Sequence, residues 1–400
     1  MKIHGKTFKE IFSELPWSYK IIVSVAPPFI LLTFFYLSYV LINFGHKEFL
    51  VEPIRFTSDF GKVGMIDPSL SFDGKGFVAL VFTVLPKVSS PEAPVQTSVK
   101  LTRATPPCRQ WNIVTDVFSS KSRGEEETEF LPSGTWRVET PSIVYDPDDP
   151  GREWKIYAYK YYWADGIPDS VDVARRTSVI VAKYSSDLSK GWSVEEWLFS
   201  PSPNVPPAPY GQFVQQHINA LDESLQDVTA YARPSVLYEG GVLLMSLSAF
   251  TDGDKPDRVV LLVSLDHGRN WQYVGTPLRR EDMAKIGPYT TLAGASLLKE
   301  KGQIYLAAVP GDAAKGGLGT LIFPFDNVSK AMLKRDDKKD APVVLTRVPL
   351  SSEKPSAVGG GFAAYADACG ENGILASELS GITGSFQIFK TYQKPSSGAE

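Results

Sequence analysis

The hexapeptide Pro141-Ser142-Ile143-Val144-Tyr145-Asp146 decides the fold, because the chain repeats it at intervals of roughly 60–90 residues. Close copies begin at Pro68 and Pro234, and two weaker copies begin at Gly294 and Gly361. Each copy is followed by a turn rich in Gly, Asp or Lys and then by a second apolar run. The pattern therefore predicts five copies of one hairpin-based unit.

A hairpin with two further strands cannot bury its own two faces, so neighbouring copies have to stack against one another. Radial stacking of four-stranded units gives a β-propeller. The five copies predict an all-β fold with five blades. A long β-sandwich with coincidental Pro-Ser turns is the alternative interpretation.

The segment from Ile21 to Phe44 contains no charged residue and is long enough to cross a bilayer as a helix. Lys2, Lys6, Lys9 and Lys20 precede it, which places the N-terminus in the cytoplasm. The sequence thus predicts one N-terminal transmembrane helix before the propeller, in a single-pass inner (or secretory) membrane protein. A buried core helix is the alternative. The predicted boundaries are a cytoplasmic tail at 1–20, an anchor at 21–44, a linker with a ring-closing strand at 45–65, the propeller at 66–393 and a flexible tail at 394–400.

This topology exports the propeller to an oxidising compartment, the periplasm or a secretory lumen, where cysteines pair. The chain has two cysteines, Cys108 and Cys369, in the first and the last repeat. These repeats are neighbours in a closed ring, so we expect a disulfide that locks it, the alternative being two unpaired thiols. The segment from Phe49 to Phe56 has strand character, and we expect it to supply the missing outer strand of the fifth blade.

Two turns follow the Ser-x-Asp-x-Gly-x-x-Trp pattern known as the Asp-box. Ser264, Asp266, Gly268 and Trp271 fill every position, whereas the turn that begins at Ser185 is a degenerate copy. The Asp should cap its own turn, the Gly should take a positive φ, and the Trp should pack between blades. This is a structural motif and predicts no substrate contact.

Residues that directly precede each repeated phrase should face one shared funnel at the centre of the ring. Asp67 and Glu139 place two carboxylates on adjacent blades at this funnel. Glycoside hydrolysis needs two carboxyl groups that flank the bond to be broken, so we expect these two residues to be a catalytic pair. Arg233 is predicted to orient the substrate, and Ala293 and Gly360 should occupy the matching positions of blades four and five. The further predicted substrate-binding residues are Trp163, Asp165, Asp252 and Glu378.

Simpler roles stay open for the three central candidates. Asp67 precedes Pro-Ser and could cap a turn. Glu139 could be an exposed loop acid, and Arg233 could form a structural ion pair. A proline-rich stretch at 201–209 followed by a predicted short helix from Gln212 to Gln226 should border the funnel as a lid or wall.

With these residues the chain resembles the five-bladed glycoside hydrolases of the arabinanase/β-xylosidase kind and their invertase/levansucrase relatives. The resemblance rests on the blade pattern, on Asp67-Pro68-Ser69 and on the turn from Ser185 to Trp192. It implies a catalytic Asp67. The family's second acid is matched loosely by Glu139, and its third acid is replaced by Arg233.

The sequence therefore predicts a membrane-anchored, extracytoplasmic, glycan-active propeller, glycoside hydrolase-like, with a non-catalytic polysaccharide-binding or scaffolding propeller of a cell-envelope assembly as the rival. Its expected partners are a glycan or polysaccharide, the membrane through 21–44 and envelope proteins. The net charge of −4 and the lack of basic stretches argue against nucleic acid. No metal cluster or phosphate loop is recognisable, so we expect no cofactor.

Overall fold

The computed structural model describes most of the chain from Phe49 onward. The described residues are 2–3, 6–7, 49–57, 64–85, 96–122, 131–166, 170–200, 213–251, 255–312, 316–317, 319–348, 358–364, 366–370, 373–379 and 386–393. The predicted anchor at 21–44 lies outside them. Within the described ranges, we find no helix with the length and apolar character needed to cross a membrane.

The chain divides into two compact units. One comprises Met1–Glu48 and Gln393–Glu400, of which the structure describes strands β1 (Lys2–Ile3) and β2 (Lys6–Thr7) and part of the last strand. The other unit, Phe49–Tyr392, holds five sheets of four or six strands, which are the blades. The predicted all-β, five-bladed propeller is thereby confirmed.

The strands of each blade follow one another along the chain. Blade one contains β4 (Gly64–Phe72), β5 (Val78–Leu85), β6 (Ser98–Ala104) and β7 (Asn112–Ser119). Blade two contains β8 (Lys121–Ser122), β9 (Gly134–Tyr145), β10 (Trp154–Ala164), β11 (Val179–Ser185), β12 (Glu196–Ser200) and β13 (Gln216–His217). Blade three contains β14 (Ala230–Glu239), β15 (Val242–Phe250), β16 (Arg258–Ser264) and β17 (Gln272–Arg279).

Blade four is the most elaborate. It contains β18 (Thr291–Glu300), β19 (Gln303–Asp312), β20 (Gly316–Gly317), β21 (Thr320–Asn327), β22 (Met332–Leu333) and β25 (Thr346–Val348). The small pair β23 (Arg335–Asp336) and β24 (Ala341–Pro342) stands beside it. Blade five contains β26 (Val358–Ala364), β27 (Ile374–Leu379) and β28 (Phe386–Gln393), with β3 (Phe49–Pro53) as its outer strand. The helices among the described residues are short, at Ser170–Arg176, Arg280–Ile286 and Ala366–Cys369, with 3₁₀ turns at Ile218–Ala220, Glu223–Leu225 and Val328–Lys330.

The ring closes between blades five and one. The residues that follow β3 contact blade one, where the N–H of Trp111 donates to the carbonyl of Arg55 at 2.9 Å. Cys108 and Cys369 form a disulfide with a Cα–Cα distance of 5.5 Å. Both sulfur atoms lie in a buried apolar cluster that blade one and blade five share. The disulfide, the pairing of β3 with blade five and the shared apolar cluster therefore all hold blades five and one together.

The serine of each Pro-Ser phrase links one blade to the next. Its hydroxyl oxygen accepts a hydrogen bond from a backbone N–H on the innermost strand of the following blade. The pairs are Ser69 with Ile143 (3.0 Å), Ser142 with Val236 (2.9 Å) and Ser235 with Leu297 (2.9 Å). The repeated serine thus satisfies a buried donor that no strand partner can reach at the ring centre.

The full Asp-box turn has the expected local structure. Ser264 donates to Asp266, the N–H of Gly268 donates back to Ser264, and the φ of Gly268 is +88°. Trp271 is buried between blades two and three, where it meets Tyr157 edge-on at 6.0 Å. The turn therefore serves inter-blade packing.

The predicted helix from Gln212 to Gln226 is wrong. In its described part, β13 pairs in parallel with β12, and two separate 3₁₀ turns follow. Ile218 and Leu225 are both fully buried, one in each turn. Asp222 also accepts a hydrogen bond from the N–H of Ser224 and so caps the start of the second turn. The pairing of β13 with blade two and the separate burial of Ile218 and Leu225 thus override helix propensity.

Candidate functional site

The innermost strands of blades one, two and three share a bulge directly before their Pro-Ser phrase. The residue ahead of the proline has a left-handed backbone, with φ of 57° at Asp67, 50° at Thr140 and 56° at Arg233. The strand register shifts at each of these positions. Such a backbone is costly for a residue with a side chain, about 1–3 kcal/mol, and clusters at functional sites. Three equivalent positions around the ring centre thus hold the same strained conformation.

In blade four the equivalent position is Gly294, and the prediction of Ala293 is wrong. The hydrogen bond from Leu297 to Ser235 aligns Ser296 with the other phrase serines, so Gly294 aligns with Arg233. A Cβ on Gly294 would overlap the guanidinium of Arg233. The missing side chain in blade four therefore makes room for the arginine of blade three. Gly360 lies in β26, and the side chains there lie outside what the structure describes.

Blade two extends farther on the funnel side than its neighbours do. Six residues of β9 precede its bulge, whereas three residues precede the bulges of β4 and β14. At about 3.3 Å per residue, three extra residues add roughly 10 Å of wall. Tyr159, Tyr161 and Trp163 of β10 lie opposite Glu139, Arg137 and Thr135 of β9, on the same face of this wall.

Glu139 occupies the centre of this arrangement, and Tyr161 donates a hydrogen bond to its carboxylate at 2.7 Å. Burial raises the pKa of Glu139, and the hydrogen bond from Tyr161 opposes that shift. The carboxylate of Asp67 raises the pKa further, while the guanidinium groups of Arg137 and Arg233 lower it; the balance is a raised pKa. The two predicted carboxylates and Arg233 therefore act on one another electrostatically.

Asp67 lies deeper, with 2% of its surface exposed. It lines a narrow central channel together with Thr140, Arg233 and the phrase serines. Its own N–H donates to the hydroxyl of Ser377 in blade five at 3.3 Å. Asp67 thus stands where blades five, one and two meet.

A groove between blades two and three opens beside Glu139. We call it the aromatic groove; its volume is about 180 Å³, and it is lined by Tyr159, Tyr161, Trp163, Val171, Ala174, Arg175, Ala230 and Phe250. Tyr159 and Tyr161 stack with ring centroids 4.9 Å apart. The guanidinium of Arg137 lies 4.6 Å from the Trp163 ring centroid. Drug-sized ligands occupy pockets of roughly 300–1,000 Å³, so this groove suits a smaller unit.

The other predicted site residues are distributed differently. Trp163 is in β10 rather than in a loop, because the hairpin of blade two is long. Asp165 is on the exposed turn that follows, outside the residues that line the aromatic groove. Asp252 lies outside the described residues. Glu378 is within strand β27 rather than in a loop, and its side chain is outside the described part.

The disulfide Cys108–Cys369 is remote from this site. The helix Ala366–Cys369 follows the end of β26, and inner strands run from the funnel to the opposite face. Across the described ranges, no group of His, Cys, Asp or Glu is arranged to hold a metal ion.

Sequence reasoning missed Arg137 and Tyr161. Both follow from the alternation of a strand: Arg137 is two residues before Glu139, and Tyr161 lies midway between Tyr159 and Trp163. The signal was present, but it could be used only once the pairing of Arg137 with Tyr161 was known.

No protein-family model matches the sequence, and no curated protein matches it either. Several solved structures are similar in fold. A Hadza microbial sialidase, Hz136, is 13% identical with a TM-score of 0.44 over 83% of this chain, which spans 56% of that protein. Zg3597, a family 117 glycoside hydrolase from Zobellia galactanivorans, is 14% identical with a TM-score of 0.46, over 86% of this chain and 89% of that one. A GH43_1 enzyme from Xanthomonas citri is 13% identical with a TM-score of 0.47, over 84% and 90%. At these identities none of them assigns a substrate to this chain.

Proposed function

We propose that this propeller is a glycan-active enzyme, a glycoside hydrolase that uses Asp67 and Glu139 as its carboxylate pair. The observation that carries the proposal is geometric: Asp67 and Arg233 line the central channel with Thr140, the residue after Glu139, beside a groove lined by aromatic side chains. Sugar rings present apolar C–H faces, which pack on aromatic side chains, while hydroxyls and carboxylates supply polar contacts.

The environments of the two carboxyl groups suggest different roles. The raised pKa of Glu139 favours its protonated form, as required of a general acid that gives a proton to the glycosidic oxygen while the C–O bond breaks. Asp67 would then act as the carboxylate that activates water or attacks the sugar carbon. In either case water finally adds to that carbon and both products leave as free sugars.

The test is a screen of the full-length protein against a panel of neutral and acidic polysaccharides, measured as release of reducing ends. We expect turnover on at least one glycan, and we expect Asp67→Asn to abolish it while leaving binding intact. Binding without turnover by the wild-type protein on every glycan would contradict hydrolysis.

The hydrogen bond between Tyr161 and Glu139 favours a second chemical role for this tyrosine. Some glycosidases attack the sugar with a tyrosine oxygen instead of a carboxylate, and Glu139 would then take the phenol proton. If the carboxylate pair is catalytic, Tyr161→Phe should lower kcat about tenfold, because it removes the hydrogen bond that orients Glu139, worth about 1–1.5 kcal/mol. Loss of all turnover in Tyr161→Phe would instead favour the tyrosine nucleophile.

A non-catalytic glycan-binding or scaffolding propeller in a cell-envelope assembly is the rival function. The observation that favours it is Arg233, which stands where the resembled families carry their third acid. For a binding protein, Asp67→Asn should leave glycan affinity unchanged and the wild type should show no turnover. The same screen therefore separates the two functions.

We further propose that residues 21–44 anchor the protein in a membrane with the propeller on the extracytoplasmic side. The support is the uncharged run itself and the lysines that precede it. We expect the full chain to stay in the membrane fraction after carbonate extraction, and a chain starting at Phe49 to be released. Recovery of the full chain in the soluble fraction would contradict the anchor.

A further inference from the structure

Arg137 carries a buried positive charge that forms no ion pair of 4.0 Å or less with a carboxylate of the described residues, although it acts on Glu139 electrostatically. Only 9% of its surface is exposed, and its Nε has no hydrogen-bond partner among the described residues. Its contact is the face of Trp163, at 4.6 Å. A guanidinium stays protonated at all relevant pH values and offers five donors in a plane. A buried guanidinium whose Nε is unsatisfied costs free energy, so its retention points to a further partner that is not part of the chain.

Arg233 adds a second guanidinium from the adjacent blade. Its strained backbone and the absence of a side chain at Gly294 let it lie over blade four, at the central channel. Within the described ranges, neither Arg233 nor Arg137 takes part in an ion pair with a carboxylate at 4.0 Å or less. Both nevertheless act on Glu139 electrostatically. The two cations therefore flank the proposed catalytic acid from two blades.

Arg175 extends the positive charge along the aromatic groove, which it lines from the helix Ser170–Arg176. Arg175 also forms an ion pair with Asp172 at 3.9 Å. The groove and funnel thus combine three arginines with two acids, Asp67 and Glu139. Asp67 is buried, with 2% of its surface exposed.

We propose that the site selects an anionic sugar residue, whose acidic group Arg137 and Arg233 bind while its ring packs in the aromatic groove. This inference rests on the proposed function in taking the ligand to be a sugar. Paired guanidinium groups bind carboxylate and sulfate through parallel N–H···O bonds, and these charge-assisted bonds are the strong ones. The stack of Arg137 on Trp163 holds its donors in place, which reduces the entropy lost on binding.

The test is calorimetric titration of the full-length Asp67→Asn protein at constant ionic strength. The probes are D-galacturonic acid and D-glucuronic acid, D-galactose 6-sulfate and D-glucose 6-sulfate, and neutral D-galactose and D-glucose. We expect one acidic probe to bind at least tenfold more tightly than its neutral counterpart. A uronic acid as the tighter ligand identifies a carboxylated sugar, and a sulfated probe identifies a sulfated one.

The arginine variants make the test specific. Arg137→Gln and Arg233→Gln should each weaken binding of the acidic probe at least tenfold and leave neutral-sugar binding unchanged, with partial recovery in Arg137→Lys. Arg176→Gln is the matched control, because Arg176 is exposed on the same helix as Arg175. Thermal stability without ligand should not fall in Arg137→Gln, whereas a structural role would lower it.

Equal affinity for acidic and neutral probes would overturn the inference, as would the same loss in Arg176→Gln or no binding of any acidic probe up to its solubility limit. Its failure is distinct from failure of the proposed hydrolysis. Turnover restricted to neutral glycans would contradict only the proposed selectivity for an anionic sugar. Binding of an acidic sugar without turnover would contradict only the proposed hydrolysis.

Discussion

Replacing Glu139 with glutamine is expected to lower kcat/KM by about 10²–10⁴-fold, the usual contribution of a general acid. The amide keeps the size of the side chain and can still accept the hydrogen bond from Tyr161, but it cannot give a proton to the leaving oxygen. Initial rates on the glycan identified by the screen provide the measurement. Glu281→Gln is the matched control, because Glu281 is exposed on the helix Arg280–Ile286 of another blade.

The same substitution should change stability with pH in a defined direction. The folded-state pKa of Glu139 is raised above its unfolded value of about 4.5. Between the two pKa values the folded state binds more protons than the unfolded state, so stability falls as pH rises through that window. Glu139→Gln removes this loss. We therefore expect the variant to match the wild type at pH 4 and to have an equal or higher Tm at pH 7.

Two results would contradict this account of Glu139. Unchanged kcat/KM would remove it from the chemistry. A Tm at pH 7 clearly below that of the wild type would mean that its charge stabilises the fold, in conflict with a carboxyl whose burial disfavours ionisation. If Glu139 is kept for catalysis at a cost in stability, Glu139→Gln should lose activity while its Tm is retained or increased.

Removing the disulfide is expected to have the largest effect on stability. The bond Cys108–Cys369 closes a loop with a sequence separation of 261 residues. In the chain-entropy model such a bond stabilises the folded state by about 2–5 kcal/mol. At roughly 2 °C per kcal/mol for a domain of this size, Cys108→Ser/Cys369→Ser should melt about 4–10 °C below the wild type.

The control is chemical reduction. Dithiothreitol should lower the Tm of the wild type to that of the double variant and leave the variant unaffected. Activity at 25 °C should persist, because the bond lies at the opposite face from Asp67 and Glu139, and β3 still joins blades five and one. A double variant that melts with the wild type would show that strand exchange and the shared apolar cluster suffice to close the ring.

The repeat made most of the fold predictable. A recurring hairpin phrase, which begins with Pro-Ser in three of its five copies, identifies the unit, and the need to bury both faces of each unit determines their stacking. The role of the serine was not predictable, since its hydroxyl acts between blades: Ser142 bonds to Val236, 94 residues away. The helix predicted from Gln212 to Gln226 failed for a similar reason, because parallel pairing with blade two determines that segment.

The candidate site was predictable only in part. Asp67 and Arg233 follow from their place before the phrase, yet the same rule gave Ala293 where the structure has Gly294. The weak fourth copy lacks the proline that marks the register, and only the bond from Leu297 to Ser235 restores it. Asp252 and the side chain of Glu378 lie outside the described residues, so their predicted roles stay predictions.

The sequence by itself determined the number of blades, the turns and the residues placed at the ring centre, because strand period and turn chemistry are local properties of the chain. Which of these side chains lie close enough to act together at the candidate site depends on the tertiary structure. Arg137, Glu139 and Tyr161 meet through strand pairing in blade two, and Arg233 of blade three, which packs against Gly294 of blade four, acts on Glu139 electrostatically. The burial of Arg137, the raised pKa of Glu139 and the unsatisfied Nε of Arg137 arise only in the folded chain, and so they can be recognised only there.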